Sequence, residues 1–384
     1  MKKFYSVGVG IKSWCEDPEG GALAQAENVA SLPFSPRYVA LMPDAHEGYG
    51  MPIGGVAAFD MTVIPNAVGV DIGCGMLACQ LDVEGIVPDT LKTILSEIRE
   101  EIPVGFNSRK EALDERLLPP IDAEIPIVKR LWERAQHQLG TLGGGNHFLE
   151  IQKGDDDHIW FMVHSGSRNI GHGVATHYNK VAQNLNAEWF SVVDKKKDLA
   201  FLPIKTREGK TYMAEMKWCL DFAQANRDYM ADCIERIINE KAGAKVLERI
   251  NIHHNYAAFE NHFGKNLVVH RKGATSAREG QLGIIPGSQG TASYIVIGKG
   301  NPDSYTSSSH GAGRKMGRKQ AINNLDLKEE QRKLDEQGIL HSIRGQKDLD
   351  EAAGAYKDIE IVMDEQADLV EIKTRLLPLA VIKG

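Results

Sequence analysis

The segment Ser307-Ser308-Ser309-His310-Gly311-Ala312-Gly313-Arg314 sets one imidazole among small residues beside a guanidinium. Glycines let backbone N–H groups come close to an anion, and the helix-prone stretch that follows would add an N-terminus favouring negative charge. An imidazole in that setting can attack a phosphorus, and Arg314 can hold the oxygens that gain charge. Taken alone, the segment is equally a Gly-rich turn with a hydrogen-bonded histidine.

A second set of residues has the types that bind metals. Asp71-Ile72-Gly73-Cys74-Gly75 places a carboxylate and a thiol within one glycine-flanked loop, where both side chains can converge on one ion. A lone D-x-x-C is more often packing. His147 follows a Gly triplet and Asn146, His164 ends an apolar run, and His254 lies in Asn251-Ile252-His253-His254-Asn255. Together the five offer enough ligands for two ions, with the thiolate shared between them. Two-metal sites commonly work on phosphoryl groups, and by softness alone a Cys–His set suggests Zn or Fe over Mn or Mg. Arg168, Lys272, Arg314 and Arg318 each sit in or beside a Gly/Ser-rich turn and could neutralise a polyanion. Tyr356 could stack a base, although a core or surface tyrosine is the commoner case.

The elements that must position these groups are readable in outline. Residues 38–42, 55–59 and 76–78 read as short buried strands separated by glycine turns. Asp89, a candidate N-cap, opens a helix to about Glu101 with Leu91, Ile94, Leu95 and Ile98 on one face. A second helix spans Ile125 to Leu139 and stops at Gly140. His158–Val163 is an apolar strand that delivers His164. Glu208 to about Lys241 reads as one long helix or two, with Met213, Met216, Leu220, Ala223 and Met230 on the buried side. Strands and turns return over 251–300, and the segment from about 317 to 350 is polar and helical. No repeat or low-complexity linker divides the chain, so residues 1–384 read as a single large α+β domain.

Composition limits the function classes. With 384 residues, 42% of them hydrophobic, the chain can bury a large core. No run of about 18 apolar residues exists, which argues against a membrane span. The N-terminal stretch from Met1 to Lys12 lacks an apolar signal core, and five scattered cysteines do not make a disulfide framework. The expected compartment is the cytoplasm. A formal net charge of −7 announces no nucleic-acid binder. The basic clusters His270-Arg271-Lys272 and Arg314-Lys315…Arg318-Lys319 are local exceptions beside Gly-rich turns, where most such clusters are solvated surface.

The blocks Met42–Gly50, Gly69–Gly75, Gly143–Glu150, Val163–Arg168, His253–Asn255, His270–Ala274, Ile285–Ser288, His310–Arg314 and Val381–Gly384, in this order, resemble the RtcB family of RNA-splicing ligases. The resemblance spans nearly the whole chain and implies that family's α+β domain with a deep metal-lined cleft. It implies a GTP- and Mn²⁺-dependent ligase that joins an RNA 3′-phosphate or 2′,3′-cyclic phosphate to a 5′-hydroxyl. Carried over by position, Asp71, Cys74, His147, His164 and His254 match the ligands of two Mn²⁺ ions, with Cys74 bridging. His310 matches the nucleophile that accepts GMP from GTP, and the guanylate then passes to the RNA end. Asn146, Glu150, Asn255, Ser288, Gly311, Ala312, Gly313, Tyr356 and Lys383 match guanylate-contacting positions. Arg168, Lys272, Arg314 and Arg318 match positions that grip phosphates. Ser276, Gln289 and Ser308 depart from the residues expected there (Arg, Met and Cys), none of them at a ligand or the nucleophile, and the chain lacks a large inserted domain. Three competing readings are a metal-dependent cyclic phosphodiesterase, which would not need His310, Tyr356 or Lys383, a non-catalytic RNA-binding scaffold, and a zinc hydrolase acting on non-nucleic substrates, favoured only by ligand softness.

Overall fold

The strand Val246–His253 ends one residue before the strand Asn255–His262 begins, and the two belong to different sheets. His254 is the residue at which the chain crosses. This computed structural model describes residues 3–6, 8–121 and 123–384, so Met1 and Lys2 of the N-terminal reading lie outside the described residues.

Among the described residues, one sheet runs in the order Lys3–Tyr5, Ile11–Ser13, Val39–Tyr49, Met51–Phe59, Lys265–Lys272, Asn255–His262. Its only parallel pair is Ile11–Ser13 with Val39–Leu41. The other sheet is antiparallel throughout, in the order Val246–His253, Gly75–Leu81, Ile159–Ser165, Phe148–Gly154, Val370–Lys383, Ser293–Gly298, Leu282–Ile285. Its register pairs Gly75 with both His253 and Ser165, Phe148 with His164, and Lys383 with Phe148. Five strand ends are thereby gathered at one rim.

Both faces of this second sheet are covered, which is why its strands read as unbroken apolar runs and not as alternation. Leu77, Cys79, Leu149, Phe161 and Val163 pack on one face against Met230, Ile234 and Ile237. Met76, Ala78, Trp160 and Met162 point the opposite way, toward Ile250, Ile284 and Ile295. The period of two follows from the pleat.

The helix covering the first face runs unbroken over Arg207–Ala242. Thr206 caps its start by accepting the Gly209 N–H at 3.1 Å, and Gly243 in the left-handed region stops it. Met216, Ala223 and Met230 are buried as expected, whereas Met213 and Leu220 are only half-buried. Other expectations shift at their edges. The helix Pro88–Glu101 starts one residue before Asp89, with Val87 at the cap position and Pro88 filling the first turn. The segment 125–139 folds as two short helices, Pro126–Arg130 and Trp132–Gln138. Within 317–350 the helices Arg318–Asn324 and Leu327–Glu336 form, the second capped by Asp326. Pro43–Gly48, read between two strands, is itself part of the long strand Val39–Tyr49, with register irregularities that accommodate its proline. All five cysteines are buried and unpaired. Among the described residues no helix is long and apolar enough to cross a membrane.

Candidate active site

Cys74 sits just before the strand Gly75–Leu81, and the gathered rim brings three imidazoles around it. Its Sγ lies 3.2 Å from His164 Nε2 and 3.5 Å from His147 Nε2. His164 Nε2 is 3.4 Å from His254 Nε2, and His147 Nε2 is 3.7 Å from an Asp71 carboxylate oxygen. Two groups of donors result, Cys74–His164–His254 and Asp71–Cys74–His147, each with its ligand atoms within 4.8 Å of one another. The thiol is common to both.

These residues fit a pair of cations. His164 Nδ1 donates to the Asn146 carbonyl at 3.0 Å, which fixes the tautomer and leaves the Nε2 lone pair facing the cage. The Nδ1 atoms of His147 and His254 are buried without a hydrogen-bond partner. Burial pushes the His164 and His254 imidazoles well below their ordinary range and the Cys74 thiol well above its own. Neutral imidazoles are ready ligands, and a bound cation would draw the proton from the thiol.

The supporting layer was not read in the sequence. Arg227, fully buried, donates to the Gly73 carbonyl at 3.1 Å and the Ser165 carbonyl at 3.0 Å, pinning the turn before Cys74 to the strand that carries His164. Asn226 beside it binds the backbone of Gly140, Thr141 and Gly166. The helical spacing from Cys219 through Phe222 and Ala223 to Met230 carried the signal, because it puts Asn226 and Arg227 on the inward face. Gly143 is required by closeness and conformation. Its φ is +98°, and a Cβ there would meet His147 Nδ1 and Arg168 Nη1 at 2.3 Å.

His310 stands directly beside the cage, its ring centroid 4.8 Å from that of His254. Its Nδ1 is bound to Asp44 Oδ2 at 2.6 Å, and its backbone N–H donates to the same oxygen at 3.0 Å. Asp44 is fully buried and its Oδ1 has no partner. With Nδ1 engaged, Nε2 is the nitrogen left for chemistry. Gly313, at φ +73°, lies so close to Asp44 that a Cβ would fall 2.4 Å from its carbonyl oxygen. Asp44 carries no signal of its own within Met42–Gly50, because its partner lies 266 residues away.

From the cage a cleft of about 1000 Å³ opens, large enough for a nucleotide. Asn146, Glu150, Asn255, Ser288, Gly311, Ala312, Gly313, Tyr356 and Lys383 all line it, with Lys272, Arg314 and Arg318. Burial pushes the Glu150 carboxyl up to about 8, opposed by the nearby Lys383 ammonium. Glu351, also unread in the sequence, gathers three of the wall residues. It accepts from Arg314 at 2.8 Å, from Arg318 at 2.7 Å and from the Tyr356 hydroxyl. Burial lowers Lys272 to about 7, and its ammonium donates to the carbonyls of Tyr49 at 2.5 Å and Asn66 at 3.0 Å. Arg168 stands behind the Gly143 loop, donating to Thr141 Oγ1 at 2.9 Å and the Gly105 carbonyl at 3.4 Å.

Two expectations are corrected. His270, Arg271 and Lys272 are all buried, not a solvated patch, and Arg271 forms an ion pair with Glu260. The helix after His310 begins only at Arg318, so no helix N-terminus abuts the imidazole. Of the three departures, Gln289 lines the cleft, while Ser276 and Ser308 lie on the small sheet behind His310.

The family profile described as tRNA-splicing ligase RtcB matches residues 25–124 and 119–384. The chain belongs to the RtcB family. The RNA-splicing ligase RtcB of Escherichia coli (strain K12) is 36% identical over 404 residues, which cover 97% of each chain. The tRNA-splicing ligase RtcB of Thermococcus kodakarensis is 32% identical over 439 residues, 94% of this chain and 91% of that protein. The RNA-splicing ligase RtcB of Mycobacterium tuberculosis is 31% identical over 436 residues, 94% and 100% of the two chains. All three alignments are longer than the 384 residues of this chain, so this RtcB chain joins the shared blocks by shorter connections.

Proposed function

We propose that this protein is a GTP- and Mn²⁺-dependent RNA ligase, one domain over residues 1–384, joining 3′-phosphate or 2′,3′-cyclic phosphate ends to 5′-hydroxyl ends in the cytoplasm. The observation that carries the reading is His310. Its Nδ1 is held by a buried carboxylate, its ring lies against the donor cage, and its Nε2 belongs to a cleft of nucleotide size.

The mechanism follows from what each residue can hold or move. Asp44 holds the proton on His310 Nδ1 and sets the ring plane, so Nε2 presents its lone pair. Nε2 attacks the α-phosphorus of GTP, a P–N bond forms and pyrophosphate leaves. A 2′,3′-cyclic phosphate end must first add water across its 2′ P–O bond, giving the 3′-phosphate and a free 2′-hydroxyl. An oxygen of the RNA 3′-phosphate then attacks the α-phosphorus, His310 is released, and the RNA end carries GMP through a pyrophosphate linkage. The 5′-hydroxyl attacks the RNA 3′-phosphorus, loses its proton and expels GMP. Activation is needed because a bare phosphate monoester has no good leaving group. Asp71, Cys74, His147, His164 and His254 would hold two divalent ions, which supply charge neutralisation at phosphate oxygens. Arg314, Arg318, Lys272 and Arg168 grip phosphates, and Tyr356 offers a face to the base. Glu150, when ionised opposite Lys383, offers acceptors to the N1–H and N2–H edge of guanine, with Asn146, Asn255, Ser288, Lys383 and the backbone of Gly311–Gly313 enclosing the nucleotide.

The test uses GTP labelled at the α-phosphate, Mn²⁺, and a broken RNA with a cyclic phosphate and a 5′-hydroxyl. We expect covalent label on the wild-type protein, none on His310→Ala, and RNA joining only with the former. Label retained by His310→Ala overturns the nucleophile, and absence of joining by the wild type overturns the ligase. The soft Cys–His donors also suit Zn²⁺. Metal-stripped protein supplied with each ion separately decides between them: joining restored by Zn²⁺ and not by Mn²⁺ replaces the assigned metal.

A further inference from the structure

Two aromatic side chains stand in solvent on backbone that binds, at the same residue or one residue away, a cation assigned to phosphate. Tyr49 is 74% exposed and lines the cleft, and its carbonyl accepts the Lys272 ammonium at 2.5 Å. Phe106 is fully exposed, beyond the lining of the cleft. Its neighbour Gly105 donates to the Gly143 carbonyl at 2.9 Å and accepts from Arg168 at 3.4 Å. Each aromatic is therefore tied through the backbone, directly or by one residue, to a different cation.

Single exposed apolar residues are ordinary on protein surfaces. These two differ in their common placement: both are fixed to elements that frame the cage. Tyr49 ends a long strand of the first sheet, and Gly105 is fastened to the glycine loop that carries His147. Phosphate contacts position a nucleic acid but give no purchase on its bases. Single-stranded RNA is commonly held by the pairing of cations on the backbone with aromatic faces under the bases. A ligase must hold two RNA ends at once, and an end whose terminal base is unpaired can be held in this way.

We infer that Tyr49 and Phe106 are stacking platforms for the terminal bases of the two RNA ends, one beside Lys272 and one beside Arg168. This deepens the ligase reading and rests on it. The platforms act on RNA position through the base face, so their contribution disappears when the base is removed.

The experiment measures KM for joining with Tyr49→Ala, Phe106→Ala, Tyr49→Phe and Phe106→Trp, using RNAs that carry either a base or an abasic site at each terminal nucleotide. Thermal unfolding and Mn²⁺ affinity serve as folding controls. For the wild type, an abasic end raises KM by about tenfold, the scale of one lost stacking contact. Each alanine variant raises KM for intact RNA by a similar factor and shows no further rise with the matching abasic end. The aromatic replacements keep the wild-type behaviour. Equal KM for wild type and alanine variants on intact RNA overturns the inference, as does an abasic penalty that persists undiminished in both variants. A wild type that joins no RNA would instead sink the ligase reading.

Discussion

At the residue scale the decisive contact is the pair of hydrogen bonds from His310 to Asp44. An imidazole acts through one nitrogen only if the other is committed, and the buried carboxylate makes that commitment. Asp44→Asn can present its amide N–H to Nδ1 and stabilise the wrong tautomer. The expected result is a loss of about 100-fold or more in the single-turnover rate of GMP transfer, with metal affinity retained. An unchanged rate would remove Asp44 from the mechanism. Lys272 supports a second prediction. Burial lowers it to about 7, so its cationic form predominates below that pH and is lost above it. Affinity for a cyclic-phosphate RNA, whose own charge is constant over this range, is expected to fall as pH rises from 6 to 8.5. In Lys272→Arg the dependence should flatten, because a guanidinium stays charged; binding isotherms across the range measure both.

At the scale of elements, the cage depends on how strands and one helix are locked together. Arg227 reaches from the long helix to one turn carbonyl and one strand-end carbonyl, and the strand carrying Lys272 is held by an ion pair next door. Arg271 is completely buried and donates to Glu260 at 2.5 and 3.1 Å, and to the Tyr305 carbonyl at 2.9 Å. Burial opposes the charge on Glu260, yet His262 and Arg271 bring its carboxyl down to about 2. Glu260→Gln leaves a guanidinium without its counter-charge, and chemical denaturation should show a loss of about 3–5 kcal/mol. The depressed carboxyl stabilises the fold above the ordinary carboxylate range, and that stability is lost as pH falls toward 2. The variant's acid-unfolding limb should be shallower than the wild type's.

At the scale of the whole molecule, two sheets meet where the chain crosses at His254, and the proposed cations would tie both to the same point. Metal binding should therefore stabilise the entire fold. Mn²⁺ at 100 times its dissociation constant is expected to add about 2.7 kcal/mol to unfolding, and chelation should remove it. A melting temperature indifferent to both treatments would contradict a preformed cage. The departures at Ser276 and Ser308 belong to this scale as well. They lie on the two-stranded sheet behind His310, and nothing in the structure gives them contact with the cleft.

Residue type and short spacing brought Asp71, Cys74, His147, His164 and His254 forward as candidate donors and His310 as a candidate nucleophile, and the fold gathers all six at one cleft. Metal ligation and nucleophilic attack need particular atoms, and those atoms are visible one residue at a time. The apolar runs were equally legible as strands, because a sheet buried on both faces needs hydrophobic residues at every position. What only the folded chain decided were the partners: Asp44 for His310, Arg227 for the cage loops, Glu351 for Arg314 and Arg318, Glu260 for Arg271. Each of those pairs except the last is separated by tens to hundreds of residues, and even the last joins two different strands. Pairing in space depends on strand register and sheet closure, and these are set by long-range burial that no local pattern encodes.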